Sequence, residues 1–82
     1  MESVYKYDPG DFVAVPFLAD DLEAFYNLHS KYVKSKAIDD KMALKSHGRT
    51  LYFTLKHEVL GGTISEELSG ELNEYLGGLI DD

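Results

Sequence analysis

The sequence predicts a mostly α fold: a three-helix bundle with an extended N-terminal arm. Three observations lead there. Apolar residues at steps of three and four run from Ile64 through Leu68, Leu72, Tyr75, Leu76, Leu79 and Ile80. A second run, Leu18, Leu22, Phe25, Tyr26, His29, Tyr32 and Val33, has the same spacing. The helix end near Ser35, a restart at Asp39 and the Gly61-Gly62 break leave only short connections, which make successive helices antiparallel neighbours. The 82 residues form a single domain, 1–82, with one core and little room for a deep internal pocket.

The first 18 residues read as extended. Val4, Tyr5 and Tyr7 favour strands, Asp8-Pro9-Gly10 is a turn tripeptide, and Asp11 to Phe17 is rich in Val and Phe. Pro16 lacks an N–H, so the segment is expected as an edge strand or as an arm over helices. The run Pro9-Gly10-Asp11-Phe12-Val13-Ala14-Val15-Pro16-Phe17 resembles the first barrel strand of MazF/PemK-type ribonuclease toxins. That resemblance covers nine residues, no later series of strands completes such a barrel, and no function is carried over from it.

The first helix is predicted from Asp20 to Ser35, with Asp20 as cap and Glu23 three residues on. Lys31 and Lys34 suit its negative end. His29 lies on the apolar stripe and reads as a packed, hydrogen-bonded histidine.

Residues 37–60 admit two readings. As a helix from Asp39, one face collects Leu44, Gly48, Leu51, Tyr52, Leu55 and Val59. Met42, Phe53 and Leu60 form a second apolar patch, so the helix is expected between two layers, the other helices and the arm. Gly48 would admit a close neighbour at about 1 kcal/mol against Ala. The alternative is α+β: the chain breaks at Ser46-His47-Gly48, and a small sheet forms from 11–17 and 50–56. The helix is preferred because its pattern continues past strand length to Val59.

The last helix is predicted from Thr63 to Gly77, with Thr63 and Glu66 as a capping box and Gly77-Gly78 as its stop. Its outer face carries Glu67, Glu71 and Glu74. Glu71 and Glu74, with Asp81 and Asp82 beyond, crowd an end where the helix dipole disfavours them.

Charge is segregated. Residues 1–28 hold six acids and one base, residues 29–57 seven bases and two acids, and residues 58–82 seven acids and no base, for a net charge of −7. Either the basic middle pairs with the acidic ends, or an acidic surface faces a basic partner.

Little chemistry is signalled. With no cysteine there is no disulfide framework and no thiolate nucleophile or metal ligand. His57-Glu58 has no second histidine at helical spacing, and neither Asp39-Asp40 nor Asp81-Asp82 sits in a calcium loop. Ser30 and Ser46 are merely adjacent to His29 and His47, which is not a catalytic geometry. Gly61-Gly62-Thr63 lacks the lysine and spacing of a phosphate loop. No catalytic residue, metal site or cofactor is expected.

The sequence therefore suggests a small acidic, non-enzymatic protein-binding module. It would be an inhibitor or immunity-type protein that occludes a basic partner surface with Glu67, Glu71, Glu74, Asp81 and Asp82. The alternative is a nucleic-acid-binding regulator using Lys41, Lys45, Arg49 and Lys56, a weak signal in a net acidic chain. No apolar run is long enough to span a membrane and no export signal is seen, so a cytoplasmic setting is expected. The double-sided apolar helix also leaves a homodimer open.

Overall fold

A computed structural model describes residues 5–81. Val4 and Asp82, used above, lie outside the described residues. Three helices, α1 (Pro16–Ser35), α2 (Ile38–Leu60) and α3 (Glu66–Asp81), follow a short 3₁₀ turn at Pro9–Phe12. The mostly α, three-helix reading stands. Among the described residues there is no strand, so the α+β alternative fails: 50–56 is interior to α2, and 11–17 straddles the 3₁₀ turn and the first turn of α1. The stretch that resembles a toxin barrel strand is therefore not a strand here.

The N-terminal segment coils because of its caps and its core contacts. The Asp8 carboxylate accepts the Gly10 N–H at 3.1 Å, and its carbonyl accepts the Asp11 N–H at 2.9 Å. Phe12, Val15 and Leu18 are buried, and only a compact turn delivers all three to one core. Pro16 then occupies the first helical position, where its fixed φ fits and its missing N–H costs nothing. The helix begins four residues ahead of Asp20, so Asp20 does not cap it.

α1 ends at Lys36, which adopts a left-handed conformation (φ 57°) and donates its N–H to the Tyr32 carbonyl at 2.7 Å. Ser35 ties the corner: its hydroxyl accepts the Ala37 N–H at 3.2 Å and donates to the Asp40 carboxylate. α2 runs unbroken through His47-Gly48 and closes at Gly62 (φ 77°). There the Gly62 N–H reaches Val59 O and the Thr63 N–H reaches Glu58 O, the paired bonds of a Schellman ending.

Two expectations for α3 are corrected. Ser65, not Thr63, caps it: the Ser65 hydroxyl accepts the Leu68 N–H at 3.1 Å. Gly77-Gly78 does not stop it, and the helix continues to Asp81. The reason is packing. A Cβ built on Gly48 would lie 2.8 Å from the Ile80 side chain, so Ile80 presses onto α2 where α2 has no side chain. Helical geometry beyond Gly78 delivers Ile80 there, and that contact outweighs the poor helix propensity of two glycines.

The core is formed by Leu18, Leu22 and Phe25 of α1, Leu44, Leu51 and Leu55 of α2, and Leu72 and Leu76 of α3. α2 is central and packs extensively against both neighbours, whereas α1 and α3 approach each other little. The arm fills that seam. Tyr5 stacks on Tyr26 with ring centroids 3.8 Å apart, and Tyr7 meets Tyr75 edge-on at 5.4 Å. The second apolar patch on α2 is not sandwiched: Met42, Phe53 and Leu60 are 64%, 66% and 87% exposed.

Candidate functional site

α3 turns its acids outward because its apolar stripe is committed to the core. Glu67, Glu74 and Asp81 recur every seven residues, two helical turns, and form one exposed line with Glu71 on its flank. Glu66 and Glu67 are in the first turn, where the dipole favours them, and Asp81 is in the last, where it does not. Because the helix extends to Asp81, Glu71 and Glu74 lie in its middle and do not crowd its end. Among the described residues the one ion pair within 4.0 Å joins Lys31 to Asp40 at 3.7 Å. The basic middle of the chain is therefore not paired with Glu67, Glu71, Glu74 or Asp81. Asp82, the fifth acid of the expected surface, lies outside the described residues.

The tyrosine seam borders this line, and sequence reasoning did not place it there. Lys6, Tyr7, Glu71, Glu74 and Tyr75 line a recess of about 300 Å³. The Tyr7 hydroxyl donates to Glu71 Oε2 at 3.4 Å, and the Tyr75 hydroxyl accepts the Lys6 N–H at 2.9 Å. The Tyr26 hydroxyl donates to the Tyr7 carbonyl at 2.5 Å. Burial, and secondarily the neighbouring phenol of Tyr75, hold both Tyr26 and Tyr5 above the ordinary tyrosine pKa. These phenols are uncharged structural pins at neutral pH. The available signal was Tyr5-x-Tyr7 in the arm with Tyr26 and Tyr75 on the two helix stripes, but nothing in the sequence pairs them.

Of the four bases expected as a stripe, the structure sets one apart by partial burial. Lys41 is half-buried, with its ammonium 5.9 Å from the Tyr32 ring centroid and Lys36 at 5.7 Å from the same ring. Lys45, Arg49 and Lys56 are exposed, and Lys56 sits 5.4 Å over Tyr52. The histidines have structural contacts. His29 Nδ1 meets the Tyr5 hydroxyl at 3.0 Å, and His47 Nε2 meets the Asp21 carbonyl at 2.9 Å. Among the described residues no three or more His, Asp or Glu side chains converge as a metal site, and no helix is long and apolar enough to cross a membrane.

What fold and surface define is a class: a small helical bundle with a smooth acidic helix face. Compared with protein-family models, with curated proteins and with solved structures, the chain matches none of them. A functional reading therefore rests on these residues alone.

Proposed function

We propose that this chain is a small non-enzymatic binding module that occludes a cationic surface of another protein with the outer face of α3. It acts as an inhibitor or immunity-type protein in the cytoplasm. The supporting observation is that Glu67, Glu71, Glu74 and Asp81 are exposed and unmatched by any cation within 4.0 Å among the described residues. Aligned carboxylates speed encounter with a basic partner and take the place of phosphates on a nucleic-acid-binding surface. The glycines on this helix fit the same reading. Side chains at Gly70, Gly77 and Gly78 would meet nothing within 4 Å, so the fold does not require glycine there. Their absence leaves a low surface that a partner can approach.

The test is affinity capture from the native host with wild-type protein and with Glu67→Lys/Glu71→Lys/Glu74→Lys, after circular dichroism shows the same helicity. Partners held by this face are lost with the variant and fade as salt rises. Identical capture by both proteins rejects the reading. The nucleic-acid alternative has weaker support, since Lys41 lies against Tyr32 and three exposed cations of that stripe remain, in a chain of charge −7. A gel shift at low salt decides it.

A further inference from the structure

The seam between α2 and α3 is open on its outer side. Two recesses of about 460 and 320 Å³ meet at Tyr52 and run along it. The α2 wall is Lys45, Arg49, Tyr52, Lys56 and Leu60, with Phe53 at its rim. The α3 wall is low, with Ser69, Gly70, Asn73 and Ile80, and carries one carboxylate, Glu66, at the Leu60 end. From Lys45 to Leu60 a helix rises about 22 Å, close to the length of a helix of about 15 residues.

We propose that this groove is a docking site for an acidic amphipathic helix of another protein, which completes a four-helix arrangement. Charge decides the occupant. Lys45, Arg49 and Lys56 project along one wall with no carboxylate within 4.0 Å among the described residues, and Phe53 and Leu60 stand uncovered beside them. Apolar side chains of the incoming helix cover Tyr52, Phe53 and Leu60, and its acids meet the three cations. Gly70 presents only backbone, and a Cβ there would meet open space, so a fourth helix can lie close to α3.

A second copy fits poorly. Antiparallel pairing of two α2 faces in the register that sets Lys45 of one copy near Lys56 of the other repeats that repulsive match at both ends of the contact. Nor does this chain offer a free acidic amphipathic helix, since the apolar stripes of α1 and α3 are spent in its own core. An anionic membrane or a nucleic acid is disfavoured because such phosphate surfaces extend past the groove and meet a molecule of net charge −7. A single helix meets three cations on the α2 wall against one carboxylate, Glu66, on the α3 wall. The groove does not depend on Glu67, Glu71 or Glu74, so this inference can fail while the α3 reading survives, and the reverse.

The probe is a labelled peptide of about 16 residues, built from Leu, Ala and Glu with Leu at alternating steps of three and four. It is titrated with the full chain by fluorescence anisotropy at low salt. Saturable binding in the micromolar range is expected. Lys45→Glu/Arg49→Glu/Lys56→Glu should weaken it about a hundredfold and Gly70→Leu about tenfold. Glu67→Lys/Glu71→Lys/Glu74→Lys should bind at least as tightly. Circular dichroism checks each variant, and Arg49→Ala, at an exposed site, serves if the triple reversal does not fold. The proposal is overturned by no saturation up to millimolar protein, or by equal binding of a shuffled peptide. It is equally overturned if phosphatidylserine vesicles or duplex DNA bind through the same three cations, or if the chain sediments as a dimer that the triple reversal dissolves.

Discussion

Along α2 the solvent side presents Met42, Lys45, Arg49, Phe53, Lys56 and Leu60, whereas along α3 it presents Glu67, Gly70, Glu71, Glu74, Gly78 and Asp81. Both helices contribute buried leucines to one core, Leu44, Leu51 and Leu55 from α2 and Leu72 and Leu76 from α3. Their outer faces depart from a neutral helix surface in opposite ways. α2 leaves large apolar groups in water, which costs solubility. α3 gathers like charges and glycines, which costs helix stability. Neither arrangement is required by the core, so stability alone explains neither face. A function that uses both would bind a basic surface on one side and an acidic helix on the other.

The contrast between inner and outer faces can be broken most forcefully on α2. Leu51→Ala, in the fully buried layer, should cost about 2–5 kcal/mol in chemical denaturation. Phe53→Ala, two residues on and largely exposed, should stay within about 0.5 kcal/mol. A large loss at Phe53 would mean that the outer patch is covered in the free protein. The next largest effect tests α3. Gly70→Ala/Gly77→Ala/Gly78→Ala should together add about 2 kcal/mol, near 1 kcal/mol per interior site with less at the fraying end, read as a higher melting temperature. Gly48→Ala on α2 should bring no such gain, because its new methyl meets Ile80 at 2.8 Å.

The tyrosine seam beside the acidic face comes third. Tyr26→Phe strips the Tyr7 carbonyl of its donor and should cost about 1–2 kcal/mol at neutral pH. Its pH signature follows from the raised pKa. The folded state holds the phenolic proton more tightly than the unfolded chain, so the contribution is complete below pH 10, the ordinary tyrosine value, and is lost as pH rises above it. Wild type should therefore lose more stability than Tyr26→Phe as the pH climbs past 10. A parallel decline in the two proteins would remove Tyr26 as the cause. The smallest effect concerns charge. Glu71→Gln/Glu74→Gln should stabilise by a few tenths of a kcal/mol at low salt, and the gain should shrink as salt screens the remaining acids.

The sequence alone made α1, α3 and nearly all of the buried residues legible and left α2 as the preferred of two readings, because apolar spacing of three and four is a local property that any helix must show. It also determined that α3 carries only acids, and it placed them on the outer face. Tertiary structure decided where the helices begin and end, and which charges find partners. Pro16 starts α1 because Phe12 and Val15 are drawn into the core, and α3 runs through Gly77-Gly78 because Ile80 finds Gly48. Lys41 leaves the basic stripe because Tyr32 lies within reach. Each of those outcomes depends on contact between residues at least nine positions apart in the chain or on burial shared by several elements, and no local pattern encodes either. The same reason hid the tyrosine seam and the groove along α2 and α3: both exist only once separate segments are packed side by side.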